Sequence, residues 1–298
     1  MKVMSTRHSA SPTAEASLSP AALRAENEGL ELLPPRSGPV RQVSALAAIA
    51  QRDVTKLARD RLRLAVSLAF PVMLMVGLGY TLDPAVGQAT GLNELTVAFT
   101  GVLAASLFQS AAAGMISLVE DRENDFAREL FVAPLPRLTL VSGKVLGETL
   151  VALVQGAFIV VFAIAFGVEA NAGRLAVLIA PGVACALLGA SFGLATLATL
   201  PNQRSAMQIF QFLIIPQYVL GGELVPVHGL PAALEVIAWA MPMTYGVDLT
   251  RAAFYQGQPG YNAAVSLSPA WAIAAMAAFF IIFMALGAVL FTYRERHR

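Results

Sequence analysis

Residues 120–144 read EDRENDFARELFVAPLPRLTLVSGK, and the fold follows from this segment and its two flanks. It carries nine of the chain's 39 charged residues and lies between two long apolar runs. A polar helix is expected from Glu120 to about Phe131. Pro134 and Pro136 then break the chain, and a fresh helix starts near Leu138, because closely spaced prolines end one helix and aim the next. A charged elbow held between two apolar segments presents a surface to something in the water.

Composition places those apolar flanks in a bilayer. Of 298 residues, 57% are hydrophobic and 13% charged, against about 25% charged in a soluble domain. Such a deficit, with apolar runs of this length, marks a polytopic membrane protein. The net charge is +1 and the single cysteine is Cys185, which rules out an intrachain disulfide. Residues 1–40 are rich in Ser, Pro, Ala and Glu and read as a disordered tail. They contain no apolar core of signal-peptide length, so the first span is expected to serve as its own insertion signal. From Arg41 the pattern changes. Val43, Leu46, Ala50, Val54 and Leu57 recur every three or four residues, with Arg41, Arg52, Lys56, Arg59 and Arg61 falling largely between them. That is an amphipathic helix with a basic face, suited to the lipid interface; packing on a soluble partner is the other reading.

Six apolar segments follow, at about 64–82, 96–119, 145–168, 174–200, 205–225 and 270–293, each near the ~20 residues a bilayer needs. The expected fold is therefore an all-α membrane domain of six transmembrane helices over 41–298, behind the tail. Between the fifth and sixth runs lies VPVHGLPAALEVIAWAMPMTYGVDL, interrupted by Pro226, Pro231 and Pro242. Its helical pieces are too short to span, so a re-entrant or interfacial hairpin is expected, with Trp239 at the headgroup boundary. Eighteen of the 20 Lys and Arg residues fall on the side that holds both termini and 120–144, leaving Arg174 and Arg251 opposite. The positive-inside rule then makes both termini and the elbow cytoplasmic and the hairpin external.

Two blocks of this sequence resemble a known family. The first is Asp121-Arg122-Glu123, then Glu129, Leu130, Ala133, Pro134 and Arg137, then Gly143-Lys144 opening an apolar run. The second holds Gly222, Pro226, Leu230, Pro231, Pro242, Thr244, Tyr245, Asp248 and Arg251. Together they resemble the type-2 ABC transporter permeases, the group with daunorubicin-resistance-like and Nod-factor-export-like members. The likeness covers 41–298 and departs at Asn124-Asp125, where relatives often carry a glycine at the second position. It implies a six-helix exporter half that pairs with a second copy or a related permease and binds two copies of a nucleotide-binding subunit. It also implies that the amphipathic helix and a coupling helix between spans two and three touch that ATPase. The short helices before span six would cap the outer side of the pathway.

The residues support this division of labour. Gly143-Lys144 is followed by Val145, and Leu138 stands where a phosphate-binding loop needs its first glycine, so ATP and Mg belong on the partner and no cofactor on this chain. Phe126, Leu130 and Phe131 form an apolar knob rimmed by Asp121, Glu123, Asp125, Arg128 and Glu129, as a docking helix should. Packing beneath its own spans is the bland reading of the same pattern. The ATPase-coupling set is thus Asp121, Arg122, Glu123, Phe126, Glu129, Leu130, Phe131, Pro134 and Arg137. The candidate pathway and outer gate are Phe70, Met73, Phe108, Gln109, Gln208, Gln211, Tyr218, Glu223, Tyr245 and Asp248, because glutamines in a span need water or a partner. Glu148, one turn into span three, either snorkels or functions; Gly189 and Gly193 suit internal helix packing. No metal-ligand spacing, nucleophilic constellation or nucleic-acid signature is present. The leading expectation is an inner-membrane exporter subunit, not itself an enzyme, for an amphipathic, drug-like, lipid or glycolipid cargo. A membrane anchor for a cytoplasmic complex, moving nothing, is the alternative.

Overall fold

The computed structural model describes residues 39–81, 93–123, 137–197, 199–223, 227, 231–258 and 260–296. These residues are all-helical, with no strand among them. The amphipathic segment is α1 (Pro39–Arg59), followed by α2 (Arg61–Thr81), α3 (Glu94–Gly114) and α4 (Ile116–Glu123). After residues 124–136 come α5 (Arg137–Ala165), α6 (Ala172–Val177), α7 (Ile179–Leu197) and α8 (Gln203–Leu220). The last four are α9 (Ala232–Ala240), α10 (Pro242–Phe254), α11 (Tyr261–Ala264) and α12 (Pro269–Arg296).

Four stretches among the described residues are long and apolar enough to cross a membrane: Glu94–Asp121, Val141–Ala165, Ala172–Leu197 and Tyr261–Leu290. They coincide with the second, third, fourth and sixth apolar runs of the sequence. The first run is shorter as an apolar helix, Leu64–Gly79. The fifth, α8, has only 18 residues, with Pro216 inside it and Gln203, Arg204, Gln208 and Gln211 along it; the polar residues and the shortness set it apart from the other four.

Local sequence explains the ends. Asn93, Asn171 and Asn202 cap α3, α6 and α8, each side chain accepting a hydrogen bond from the backbone N–H three residues on (3.1, 2.8 and 2.8 Å). Gly167, at φ +101°, ends α5. The Val168 N–H reaches the Ala163 carbonyl (2.9 Å) and the Gly167 N–H that of Ile164 (3.1 Å), the paired bonds of a glycine-terminated helix.

Helix α3 is the central post, packed by α2, α5, α7 and α10. Its contact with α7 is close because Gly189 and Gly193 lie against the backbone carbonyls of Phe108 and Ala112, with no room for a Cβ. The internal-packing reading of that glycine pair therefore holds. Phe108, Phe192 and Phe283 continue the contact through α7 to α12, with ring centroids 5.4 and 5.5 Å apart. Between α9 and α10, extended Met241 precedes Pro242. The joint is pinned by Thr244 Oγ1 on the Ala238 carbonyl and Tyr245 OH on that of Trp239, both at 2.7 Å. At nine residues α9 is about 14 Å long, half of a bilayer's apolar thickness.

Helix α1 does not lie free on a surface; it packs along α5. Its buried face is Ala50, Asp53 and Leu57, so an acid occupies the centre of what the periodicity presents as an apolar stripe, and Val54 is only half-buried. The expected polar helix running to Phe131 is α4 as far as Glu123, joined to α3 through a turn at Met115; the remainder lies outside the described residues.

Candidate functional site

A buried ionic knot explains the unexpected Asp53. Lys144 on α5 extends its ammonium between Asp53 Oδ2 (2.8 Å) and Glu148 Oε1 (2.6 Å). Ser117 Oγ on α4 donates to the same Glu148 oxygen at 3.3 Å. All three charged residues are about 5% exposed or less. Two glycines make the space. A Cβ on Gly114 would strike the Glu148 carboxylate, and one on Gly147 would stand 2.9 Å from Asp53 Oδ2 and 3.3 Å from the Ala50 backbone. Glu148 lies about two turns into the apolar stretch that begins at Val141. It is buried and paired rather than snorkelling, as its Lys144 partner requires.

Around the knot the elbow is tied to its neighbours. Arg52 Nη2 on α1 reaches Asp121 Oδ2 at 3.0 Å, and its Nε reaches Asp53 Oδ1 at 3.3 Å. Burial alone would lower the Arg52 pKa, but the carboxylates of Asp121 and Asp53 outweigh it and hold it above the ordinary value. Glu123 Oε2 accepts from the Gln203 N–H at 2.9 Å, a carboxylate on the N-terminus of α8. Thus α1, α4, α5 and α8 meet at one end. Arg52 and Asp121 remain 30% and 21% exposed, so Asp121→Asn is expected to cost no more than about 1 kcal/mol; a thermal-unfolding midpoint within a few degrees of the parent's would bear this out.

From the knot a cleft of about 580 Å³ runs between α2, α3, α5 and α8. Its ionic end holds Asp53, Lys56, Glu120, Lys144 and Glu148; its middle holds Ser106, Gln109, Ser110, Gln155 and Gln211. Its far end is apolar and aromatic, with Phe70, Ile159, Ile214, Ile215 and Tyr218. Phe70 meets the Tyr218 ring edge-on at 5.8 Å. A cavity graded in this way suits a molecule with a polar head and an apolar body.

The sequence-predicted residues divide accordingly. Phe70, Gln109, Gln211 and Tyr218 line the cleft. Phe108 does not: it is 1% exposed in the core against Phe192. Met73, 72% exposed, and Gln208 face outward, away from the cleft. Tyr245 and Asp248 lie on α10, and Glu223 beyond the end of α8. Of the coupling set, Asp121 and Glu123 are placed as above. The side chains of Arg122 and Arg137, and Phe126, Glu129, Leu130, Phe131 and Pro134 entirely, lie outside the described residues.

Beyond Tyr218 a second polar cluster closes the other end. Arg251 on α10 is 2% exposed and gives Nη2 to the Glu223 backbone carbonyl at 3.2 Å. The charge count placed Arg251 on the side opposite the termini; the structure buries it within the protein. Gly101 on α3 is obligatory, since a Cβ there would sit 2.5 Å from the Glu223 carbonyl oxygen. Asp248 receives the Ser266 and Leu267 N–H groups at 2.7 and 2.9 Å and so anchors the chain leading into α12. Asp248→Ala leaves both donors without that acceptor and is expected to cost about 1–3 kcal/mol, to be read as a lowered unfolding midpoint that Asp248→Asn partly restores.

Comparison with known proteins agrees with the membrane-spanning helices. The sequence profile of the ABC-2 type transporter family matches residues 44–255. The chain is 21% identical over 213 residues, 70% of its length and 73% of the relative's, to the "Putative transport permease ycf38" of Cyanophora paradoxa. It is 27% identical over 199 residues, 66% of the chain and 76% of the relative, to "Nodulation protein J" of Rhizobium leguminosarum bv. viciae. Over 137 residues, 46% of the chain and 37% of the relative, it is 27% identical to the "Probable multidrug ABC transporter permease YbhR" of Escherichia coli K12. With a match across most of its length and apolar helices fit to span a bilayer, the chain belongs to the ABC-2 type transporter family and is a multi-pass membrane permease.

Proposed function

We propose that this permease is the membrane half of an ATP-driven exporter that moves an amphipathic molecule, drug-like, lipid or glycolipid, out across the cell (inner) membrane. In this reading α2 and α8 complete a set of six spans, with both termini and the 120–144 elbow in the cytoplasm. ATP and Mg bind a separate nucleotide-binding chain. Two copies of that chain meet two permeases, the second being another copy of this one or a related chain.

The supporting observation is the cleft graded from ions to aromatics, whose ionic end is built by the very helices that flank the elbow. A push on residues 120–136 reaches α4 directly. It passes to α1 through Asp121–Arg52, to α5 through Ser117–Glu148 and to α8 through Glu123–Gln203. Three of those four helices are also bound to the Lys144 knot, so they would move together. Neither Asp121 nor Glu123 lines the cleft, which suits a role in transmission.

The test is efflux. Inverted vesicles carrying the chain and a partner ABC ATPase should move a fluorescent amphiphile only with ATP. Phe126→Asp with Leu130→Asp should abolish both ATPase association and efflux. Movement indifferent to ATP, or to the double substitution, defeats the exporter reading and leaves that of an anchor.

A further inference from the structure

Among the described residues, five buried side-chain nitrogen and oxygen atoms have no hydrogen-bond partner, and all five belong to one group of residues. They are Tyr218 OH, both carboxylate oxygens of Glu223, Arg251 Nε and Tyr255 OH. The group is continuous: Tyr218 interacts electrostatically with Glu223, Glu223 with Arg251, and Arg251 with Tyr255. Glu223, Arg251 and Tyr255 are 1%, 2% and 3% exposed, while Tyr218 also lines the far end of the cleft.

Folded proteins seldom leave such groups unpaired, and the bonds made by the described neighbours go elsewhere. Arg251 commits Nη2 to the Glu223 carbonyl rather than to its carboxylate. Asp248, the nearby acid, is taken by two backbone N–H groups. What remains is a mixture: a carboxylate that only accepts when ionised, a guanidinium N–H that only donates, and two hydroxyls that do both. No single ion satisfies donors and acceptors that stand side by side. Water satisfies every one of them.

We infer that Tyr218, Glu223, Arg251 and Tyr255 form an internal water-binding site at the Tyr218 end of the cleft. Buried water holds polar groups at low cost and is a structural component. The site stands whether or not the exporter reading does.

Two measurements on the purified chain, with neither ATPase nor ATP present, decide it. The first is the unfolding midpoint of Tyr218→Phe with Tyr255→Phe. Removing hydroxyls that hold water lowers it, whereas removing dry, unpartnered hydroxyls leaves it unchanged or raises it, and either of those results overturns the proposal. The second is thiol labelling in a Cys185→Ala background with a small hydrophilic methanethiosulfonate. Glu223→Cys is expected to react at least about tenfold faster than Met75→Cys, which sits at 0% exposure among apolar neighbours, because reactivity follows water access. Equal rates would overturn the site. A chain that labels at position 223 but fails to move the amphiphile keeps the water site and loses the exporter reading.

Discussion

Lys144→Met is expected to lower stability by about 3–5 kcal/mol, the usual cost of removing one partner from a buried ion pair. The ammonium is shared by Asp53 and Glu148, which lie 2.8 and 2.6 Å from it. Without it two carboxylates face each other at 5% exposure. One must take up a proton, or α1 must lift from α5. The control is the triple variant Lys144→Met, Asp53→Asn, Glu148→Gln, which removes all three charges and should recover most of the loss. Thermal unfolding in detergent reads both, as a midpoint many degrees lower for the single variant than for the triple. A single variant as stable as the parent would mean that the knot holds nothing together. If the ionic end also transmits the ATPase stroke, the triple variant folds but exports slowly.

The second large effect is Gly189→Ala. The new methyl group would overlap the Phe108 carbonyl oxygen, and a backbone atom has no rotamer by which to yield. Helices α3 and α7 must separate along a contact that leaves no room for a Cβ. Overpacking of this kind costs about 1–3 kcal/mol, and the backbone obstacle puts Gly189 at the upper end. Gly77→Ala is the control: a Cβ there meets no atom within 4 Å, so the helix-propensity gain of alanine should show as an equal or higher midpoint. Equal behaviour of the two variants would refute the close α3–α7 approach.

These two residues show how differently the sequence reveals its contents. Gly189 was legible, since a small-xxx-small pair in an apolar run has one common use. Lys144 was visible only as part of a motif, and Asp53 not at all. A lone acid in a basic amphipathic helix looks like a solvated charge until the helix is laid on α5. The available signal was its spacing, three residues from Ala50 and four from Leu57, which puts it on the buried face. Arg251 was visible only as a charge opposite the termini, since counting charges by side does not say whether each one reaches water. For the pathway, Gln109, Gln211, Phe70 and Tyr218 shared a wall as composition implied. Phe108 and Gln208 did not, since rotation about a helix axis decides what a side chain faces, and apolar periodicity is nearly flat in helices that are apolar all round.

The apolar runs were therefore readable from the chain alone. Transfer of apolar side chains out of water is additive and acts the same way in any fold. The short helix α9, set off by prolines, belongs to this class. What required tertiary structure was every pairing between elements distant in sequence. Lys144 with Asp53, Arg52 with Asp121, Glu123 with the α8 N-terminus, and Arg251 with the Glu223 carbonyl each join residues 28 to 91 positions apart. Such contacts depend on the mutual rotation and depth of two helices, quantities that no local pattern encodes. The cleft itself, graded from ions to aromatics, exists only in their sum.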